Sequence, residues 1–389
     1  PITTEFYETA KIALLLVVTG TLFLVWAIKM FLEKKVSFLR SPLDLPLLIL
    51  VVVLTAATVF STNHYFSLLG SYLRFQPSLA FSLMLVVTYY IFSANIKSLA
   101  IREKVVFSFV LSVAVAGLLG LLSYLGVFEL ISFLPPFIKS RAFNTVGSLS
   151  ALSVLAAAAL PLTLGLGDAT KDRFKFYVGR LAPFLIVSLV ILLKTPAGLI
   201  LLPASFVFYV ICKGSESPLT LLRKSLPILA WAVVLAIAVN TPAISKALKM
   251  DNAPLEISFG ARESWQIATQ VISARPIFGA GFGSFPTLFT VLKPLSTNNT
   301  PLWNLRFDRP AADALLWLSE VGIAGFFAFL FVLYKALSMA IYSRNASDPL
   351  ASSLSASVLT LALSFFLTSN LSLSPYFLFF FLALLSGQL

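Results

Sequence analysis

Arginines are concentrated in one polar segment of an otherwise apolar chain. Residues 243–311 contain Arg262, Arg275, Arg306 and Arg309. Arginine presents a planar fork that binds phosphate in a bidentate manner and stays charged at any relevant pH. Several converging arginines predict a site for a phosphate or pyrophosphate ligand. Any single one of them could instead contact a lipid headgroup.

Two more arginines, Arg74 and Arg141, lie in shorter connections that the topology below places on the same side as this segment. We include both among the candidate pyrophosphate-binding residues.

Carboxylates on that side are fewer, and three of them are candidates for proton transfer. Asp308 and Asp313 flank the start of an apolar segment, and Glu320 lies about two turns inside it. A spacing of seven puts Asp313 and Glu320 on one helix face, so we expect both to line one cavity. An ionisable group in a membrane helix indicates function by default. Glu320 could equally well bond a neighbouring helix.

A glycine-rich stretch, Pro-Ile-Phe-Gly-Ala-Gly-Phe-Gly-Ser-Phe, occupies residues 276–285. Its glycines would let the backbone approach an anion, but the spacing is not that of a nucleotide-binding motif. A tight re-entrant turn at the membrane surface is the equally supported alternative. Residues 262–274 predict a helix with Trp265, Ala268 and Ile272 on one face. His64 is predicted to be an interface residue rather than a base.

Composition determines what must position these residues. The chain of 389 residues is 59% hydrophobic and 11% charged, with mean hydropathy +0.95. A soluble domain carries about 25% charged residues. The single Cys and single His exclude a Cys/His metal cluster and a disulfide within the chain. The net charge of +12 does not indicate nucleic acid, because the basic residues flank apolar runs of membrane length.

These runs predict an all-α integral membrane protein with about eleven transmembrane helices. A spanning helix needs about 20 mostly apolar residues, with a range of about 17–25. The predicted segments are 11–32, 44–60, 77–94, 105–125, 148–166, 181–194, 196–212, 226–242, 312–334, 350–367 and 375–388. The long polar loop 243–311 then joins two of them within a single membrane domain, 1–389.

Basic residues set the predicted orientation. Sixteen of the 28 Lys and Arg residues fall in five short alternate loops, which we place in the cytoplasm. The 243–311 loop is then extracytoplasmic, and the N-terminus lies outside. Because residues 1–10 lack a basic anchor, we expect a further N-terminal helix in the intact protein, about twelve in all. An authentic N-out protein is the alternative.

Two stretches resemble the shared core of a known superfamily. They are GARESWQIATQVISARPIFGAGFGSF (260–285) and DRPAADALLWLSEVGIAGFF (308–327). Together they resemble the core of the O-antigen ligase and O-antigen polymerase superfamily, through Arg262, Trp265, Pro276, Gly279, Gly281, Glu320, Gly322 and Gly325. Upstream, residues 41–50, 64–75 and 143–162 resemble further blocks of these bacterial membrane proteins. The resemblance covers most of the chain.

The resemblance implies a metal-independent glycosyltransferase without a cofactor, in the bacterial cytoplasmic membrane, with its active side extracytoplasmic. The implied donor is a glycan on undecaprenyl pyrophosphate. The implied acceptor is a lipid A core sugar, a growing polymer or a protein hydroxyl. Motif position gives Arg262 a pyrophosphate-binding role, and Arg74 and Arg141 follow by weaker correspondence.

One departure from the family pattern concerns the base. Ligases of this family carry a His-Asn pair where this chain has Ala311-Ala312. Asp308 or Asp313 could act in place of that His. Two other functions remain open: a flippase or transporter of lipid-linked sugars, and a non-catalytic member of the same fold. A transporter would favour internal repeats, and the sequence contains no evident one.

Overall fold

The structure is a computed structural model that describes residues 3–34, 40–70, 75–214, 217–247, 254, 256–343, 348–369 and 373–387. Across these residues the regular structure is entirely helical, in sixteen α-helices and two short 3₁₀ turns. The sequence prediction of an all-α protein is confirmed for this part of the chain.

The longest connections lie between α5 and α6 and between α10 and α13. They are α1 Thr3–Glu33, α2 Asp44–Val59, α3 His64–Leu69, α4 Leu79–Asn95, α5 Leu99–Tyr124, α6 Leu149–Ala169, α7 Arg173–Leu193, α8 Pro196–Cys212, α9 Pro218–Asn240, α10 Pro242–Ala247, α11 Ala261–Ala274, α12 Phe285–Leu292, α13 Asp313–Glu320, α14 Gly322–Tyr342, α15 Pro349–Leu367 and α16 Leu373–Ser386. The 3₁₀ turns are Val127–Leu130 and Leu295–Asn299.

Seven of the described helices are long and apolar enough to cross a membrane, namely α1, α5, α6, α7, α9, α14 and α15. Four shorter apolar helices, α2, α4, α8 and α16, coincide with the remaining predicted segments. The predicted starts of α5, α7 and α9 are six to eight residues too late. The first turns of these helices contain Arg and Lys. The sequence prediction counted only apolar residues, so it left out these turns although they are helical.

The predicted segment 312–334 is not one helix. The short helix α13 ends at Glu320, and α14 begins at Gly322, whose φ of +70° is left-handed. A non-glycine residue rarely adopts that backbone conformation. Glu320 therefore lies before the candidate membrane span Gly322–Tyr342 rather than inside it.

Small side chains allow the central helices to pack closely. Helix α6 is alanine-rich and almost wholly buried among α5, α7, α8 and α15. The facing helix α15 buries Ser353, Ser355 and Ser357, and Ser357 donates to the carbonyl of Ala158 at 2.7 Å. Small residues bring backbones close together, and hydrogen bonds between helices hold apolar bundles where the hydrophobic effect is weak.

One end of the bundle, here called the basic end, is held by ion pairs between connections. Lys175 pairs with Glu103 at 2.8 Å, and Arg102 pairs with Asp348 at 3.4 Å. Asp168 pairs with Lys213 and with Arg180. All of these contacts join loops that the sequence places together.

The opposite end, here called the loop end, gathers the other set of connections. Ala280 of the long loop accepts from Thr62, and its N–H donates to the carbonyl of Ser319. The carboxylate of Glu256 accepts from the first N–H groups of α6, at Leu149 and Ser150. The grouping of connections at two ends therefore follows the predicted alternation.

The long loop has a small apolar core of its own at the loop end. Phe259, Ile267, Val271, Phe285 and Phe289 pack together, with Leu316 of α13. The predicted helix within 262–274 is confirmed, but Trp265, one of the three residues that share the predicted face, does not join this core. That side chain is 55% exposed, because α11 turns its Ile267 and Val271 stripe toward the core.

Replacing Gly322 with Ala should strongly destabilise the protein. An added Cβ would lie 2.4 Å from the carbonyl oxygen of Ile277, and the left-handed φ alone costs about 1–2 kcal/mol. Gly20→Ala is the matched control, since a Cβ there meets no heavy atom within 4 Å. Thermal melting of the purified protein, monitored by tryptophan fluorescence, should show a large decrease in melting temperature for Gly322→Ala only. Equal melting temperatures would contradict the described packing.

Candidate functional site

The glycine loop, residues 276–285, is joined by backbone hydrogen bonds to the break between α13 and α14. Ala280 N–H donates to the carbonyl of Ser319 at 3.1 Å, and Gly281 N–H donates to that of Glu320 at 2.7 Å. In return, Ile323 N–H donates to the carbonyl of Pro276 at 2.9 Å. A Cβ on Gly279 would lie 2.7 Å from backbone atoms of the break. The two segments can therefore pack this closely only if residue 279 is glycine.

The other side of the glycine loop contacts the corner between α2 and α3. Thr62 Oγ1 donates to the carbonyl of Ala280 at 2.8 Å, and Ser67 Oγ donates to that of Phe282 at 3.0 Å. Because the N–H groups of Ala280 and Gly281 already have backbone partners, this half of the loop favours the tight-turn alternative over a phosphate cradle. His64 Nδ1 lies 3.1 Å from the carbonyl oxygen of Thr58, in the last turn of α2.

The second half of the glycine loop faces a carboxyl group of the protein itself. Glu320 is fully buried, and its Oε1 accepts from the N–H of Phe285, the first residue of α12, at 2.9 Å. The N–H groups of Gly283 and Ser284 and the positive charge of Arg309 also favour its ionised form. A helix N-terminus is a natural place for negative charge.

Burial nevertheless outweighs these contacts and raises the pKa of Glu320 to about 8. Desolvation favours the neutral form of a carboxyl group, and the surrounding donors only partly offset it. A carboxyl group that titrates near neutral pH can both accept and return a proton under working conditions. That property suits general acid–base catalysis.

A small cleft opens beside Glu320. It is lined by Gln76, Pro77, Gly283, Pro286, Asp308, Arg309 and Glu320. Arg309 Nε lies 3.5 Å from Asp308 Oδ2, with the arginine side chain 14% exposed and the aspartate 41% exposed. Three of the predicted site residues, Asp308, Arg309 and Glu320, therefore come together.

Buried polar atoms without hydrogen-bond partners lie at this cleft, as far as the described residues extend. They are Glu320 Oε2 and Gln76 Nε2, and Gln76 is only 6% exposed. Leaving a buried donor or acceptor unpaired costs about 1–3 kcal/mol, and such groups call for an explanation.

Asp313 lies elsewhere. Its Oδ1 accepts from Ser369 Oγ at 2.9 Å, and its N–H donates to the carbonyl of Thr368 at 3.3 Å. These bonds tie the start of α13 to the end of α15. The expectation that Asp313 and Glu320 line one cavity is therefore wrong for the cleft described here, which includes only Glu320.

Arg141 is held by a carboxylate of its own connection. Its Nε lies 2.8 Å from Glu129 Oε1, and its Nη2 lies 3.4 Å from Glu129 Oε2. The hydrogen bond to Glu129 raises the pKa of Arg141 further above its ordinary value. Binding pyrophosphate here would require that the guanidinium exchange this partner.

The remaining predicted arginines are distributed over the long loop. Arg262, Arg275 and Arg306 are exposed, and none of them lines the cleft. Arg74 lies outside the described residues. Ala311, at the position of the family His, has its N–H bonded to Ser264 Oγ at 2.9 Å.

Sequence reasoning missed Gln76 entirely. A neutral amide beside a proline in a loop carries no chemical signal, and its burial depends on residues more than 200 positions away. The N–H groups of residues 283–285 were foreseen only as a general property of glycine-rich loops.

No protein-family model and no curated protein sequence matches this chain. The family resemblance thus rests on the quoted motifs, and function must be argued from the site.

Glu320→Gln should remove one component of the pH dependence of stability. A pKa raised from 4.5 to about 8 on folding means that the folded state binds the proton more tightly. The resulting stabilisation is fully present below about pH 4.5 and is lost as the pH rises through about 8. Wild-type melting temperature should therefore fall by several degrees across this range.

The Glu320→Gln variant should show a flatter profile, because glutamine keeps the acceptor for Phe285 and does not titrate. Glu33→Gln, the same change at an exposed position, is the control. If the profiles of wild type and Glu320→Gln are parallel, folding does not raise the pKa of the Glu320 carboxyl group.

Proposed function

We propose that this chain is a membrane glycosyltransferase of the O-antigen ligase/polymerase type. It would transfer a glycan from an undecaprenyl-pyrophosphate carrier to an external sugar, lipid or protein hydroxyl. The observation that carries the proposal is the cleft, where the free oxygen of a buried carboxylate, Glu320, lies with Arg309 and Asp308. A base and a cation are the two groups that such a transfer requires.

The proposed reaction is a displacement at the anomeric carbon of the donor. The acceptor hydroxyl gives its proton to Glu320 Oε2 while its oxygen forms a bond to that carbon. The bond from the carbon to the phosphate oxygen breaks, and its electron pair leaves with undecaprenyl pyrophosphate. The carboxyl group later returns the proton to water. In this scheme Glu320 replaces the family His, and the half-exposed Asp308 is the second candidate base.

The distribution of charge favours binding of the pyrophosphate on the loop surface rather than in the cleft. The cleft contains two carboxyl groups and one guanidinium, a poor environment for a pyrophosphate. Arg262, Arg275 and Arg306 are exposed on the same loop and can bind the leaving pyrophosphate there. Arg309 would stabilise the negative charge that develops between the two groups.

The proposal includes a topology. The seven long and four shorter apolar helices would give about eleven spans, or about twelve in an intact protein, in the bacterial cytoplasmic membrane. The basic end would face the cytoplasm and the loop end the outside.

Single-cysteine labelling tests this topology. In a Cys212→Ala background, Asn299→Cys at the loop end should react with a membrane-impermeant maleimide in intact cells. Lys104→Cys, an exposed position at the basic end, should react only after the membrane is opened. The opposite pattern would place the cleft in the cytoplasm, where an external acceptor cannot reach it.

Arg309→Ala should lower transfer by at least about 100-fold, the usual effect of losing a group that stabilises developing charge. The assay uses purified protein in liposomes, an undecaprenyl-pyrophosphate oligosaccharide with a labelled glycan, and a candidate acceptor. Lys246→Ala is the control, an exposed cation of α10 that has no role in the proposed site, and should keep most activity. Equal loss in both variants would indicate general electrostatic attraction rather than a role for the cleft.

Arg262→Ala tests whether the pyrophosphate of the donor lies over the start of α11 or elsewhere on the loop. If it abolishes transfer while Lys246→Ala does not, the pyrophosphate lies over the start of α11, as the family motif implies. Wild-type protein that binds the lipid donor through Arg262 but transfers nothing would favour the non-catalytic alternative, which the alanine at position 311 makes credible.

A further inference from the structure

The cleft contains an unsatisfied pair of opposite hydrogen-bonding character. Glu320 Oε2 can accept a hydrogen bond, and Gln76 Nε2 can only donate one. Both side chains are more than nine-tenths buried, and both line the same cleft. Within the described residues, neither atom has a hydrogen-bond partner.

The chemistry of this pair restricts the ligand. A phosphate or carboxylate would satisfy Gln76 but would lie beside Asp308 and would be repelled by Glu320 whenever that group is ionised. An ammonium group would satisfy Glu320 but would leave the amide donor of Gln76 unpaired. A hydroxyl group, whether of water or of a sugar, satisfies both, because its O–H donates and its lone pairs accept.

The two groups of this pair are held in place by different parts of the fold. The other oxygen of Glu320 is bonded to the N-terminus of α12, so its carboxylate is held in one orientation. The loop that carries Gln76 ends at Ser78, whose side chain caps α4 through the N–H of Phe81 at 3.1 Å. Two separately anchored groups are therefore presented to one small cleft.

We infer that Gln76 and Glu320 together form a hydroxyl-binding site that holds the acceptor sugar. Gln76 Nε2 donates to the hydroxyl oxygen, and the hydroxyl proton points to Glu320 Oε2. The inference rests on the proposed function in naming the sugar as the acceptor. Gln76 is then a binding and specificity residue for the one hydroxyl group that enters the cleft.

The test begins with binding, which needs no turnover. The full-length protein in detergent is titrated with simple methyl glycosides at millimolar concentrations, and binding is followed by saturation-transfer NMR. At least one glycoside should bind the wild type. Gln76→Met, which keeps the side-chain length and removes the donor, should weaken that binding roughly tenfold. Gln270→Met, the same change at an exposed position of α11, should have no effect.

A second variant covers the case in which Gln76→Met does not fold. Gln76→Glu keeps the shape but replaces the donor with an acceptor beside Glu320. It should bind glycosides weakly at neutral pH and regain binding at acidic pH, where its protonated carboxyl group can donate. A merely structural role for Gln76 would not give this recovery.

The outcomes separate this inference from the proposed function. Glycoside binding that depends on Gln76, in a protein that transfers nothing from the lipid donor, would retain the hydroxyl site and reject the transferase. Transfer by Gln76→Met with an unchanged acceptor KM would retain the transferase and reject the site. Failure of every glycoside to bind the wild type would also reject the site. In the supporting case, Gln76→Met raises the acceptor KM roughly tenfold and leaves the donor KM unchanged.

Discussion

The loop end depends on the burial of a single carboxyl group. Glu320 is removed from water, its Oε1 is held by the N-terminus of α12, and Arg309 lines the same cleft. Desolvation of a charge is costly unless donors replace the lost water. Satisfying Glu320 therefore requires the glycine loop, α12 and the segment around residue 309 to meet at one point. The cleft is the space that remains among these segments.

The arrangement of helices could be predicted because hydropathy is a local property. Runs of apolar residues coincide with the seven long and four shorter apolar helices of the described residues, and alternating basic connections predict which loops share an end. The break at Gly322 could not be predicted in this way. It exists because the carbonyl groups of Pro276 and Ile277 accept from Ile323 and Ala324, and these residues are more than forty positions apart. A hydropathy window cannot detect such a break, because the residues on both sides of it are apolar.

The site was predictable by residue type and less so by position. Asp308, Arg309 and Glu320 were chosen as charged groups next to an apolar segment, and the fold brings them to one cleft. Asp313 shares a helix face with Glu320, but seven residues correspond to about 10 Å along the axis, so each meets different neighbours. Ser369 satisfies Asp313, and α12 satisfies Glu320. Periodicity identifies a face, while the partners along that face are set by the rest of the fold.

The bond between Thr62 and Ala280 joins residues that are 218 positions apart. At synthesis rates of about 5–20 residues per second, the corner between α2 and α3 emerges roughly 10–40 s before its partner. During this interval Thr62 lacks the carbonyl of Ala280, whereas Ser67 can already bond Ser61 within the corner. The cleft cannot form until the break at residues 319–324 has also been made, so a chain that stalls between these points has most of its bundle and no site. Binding of a sugar by this protein would then report completion of the chain rather than insertion of its helices.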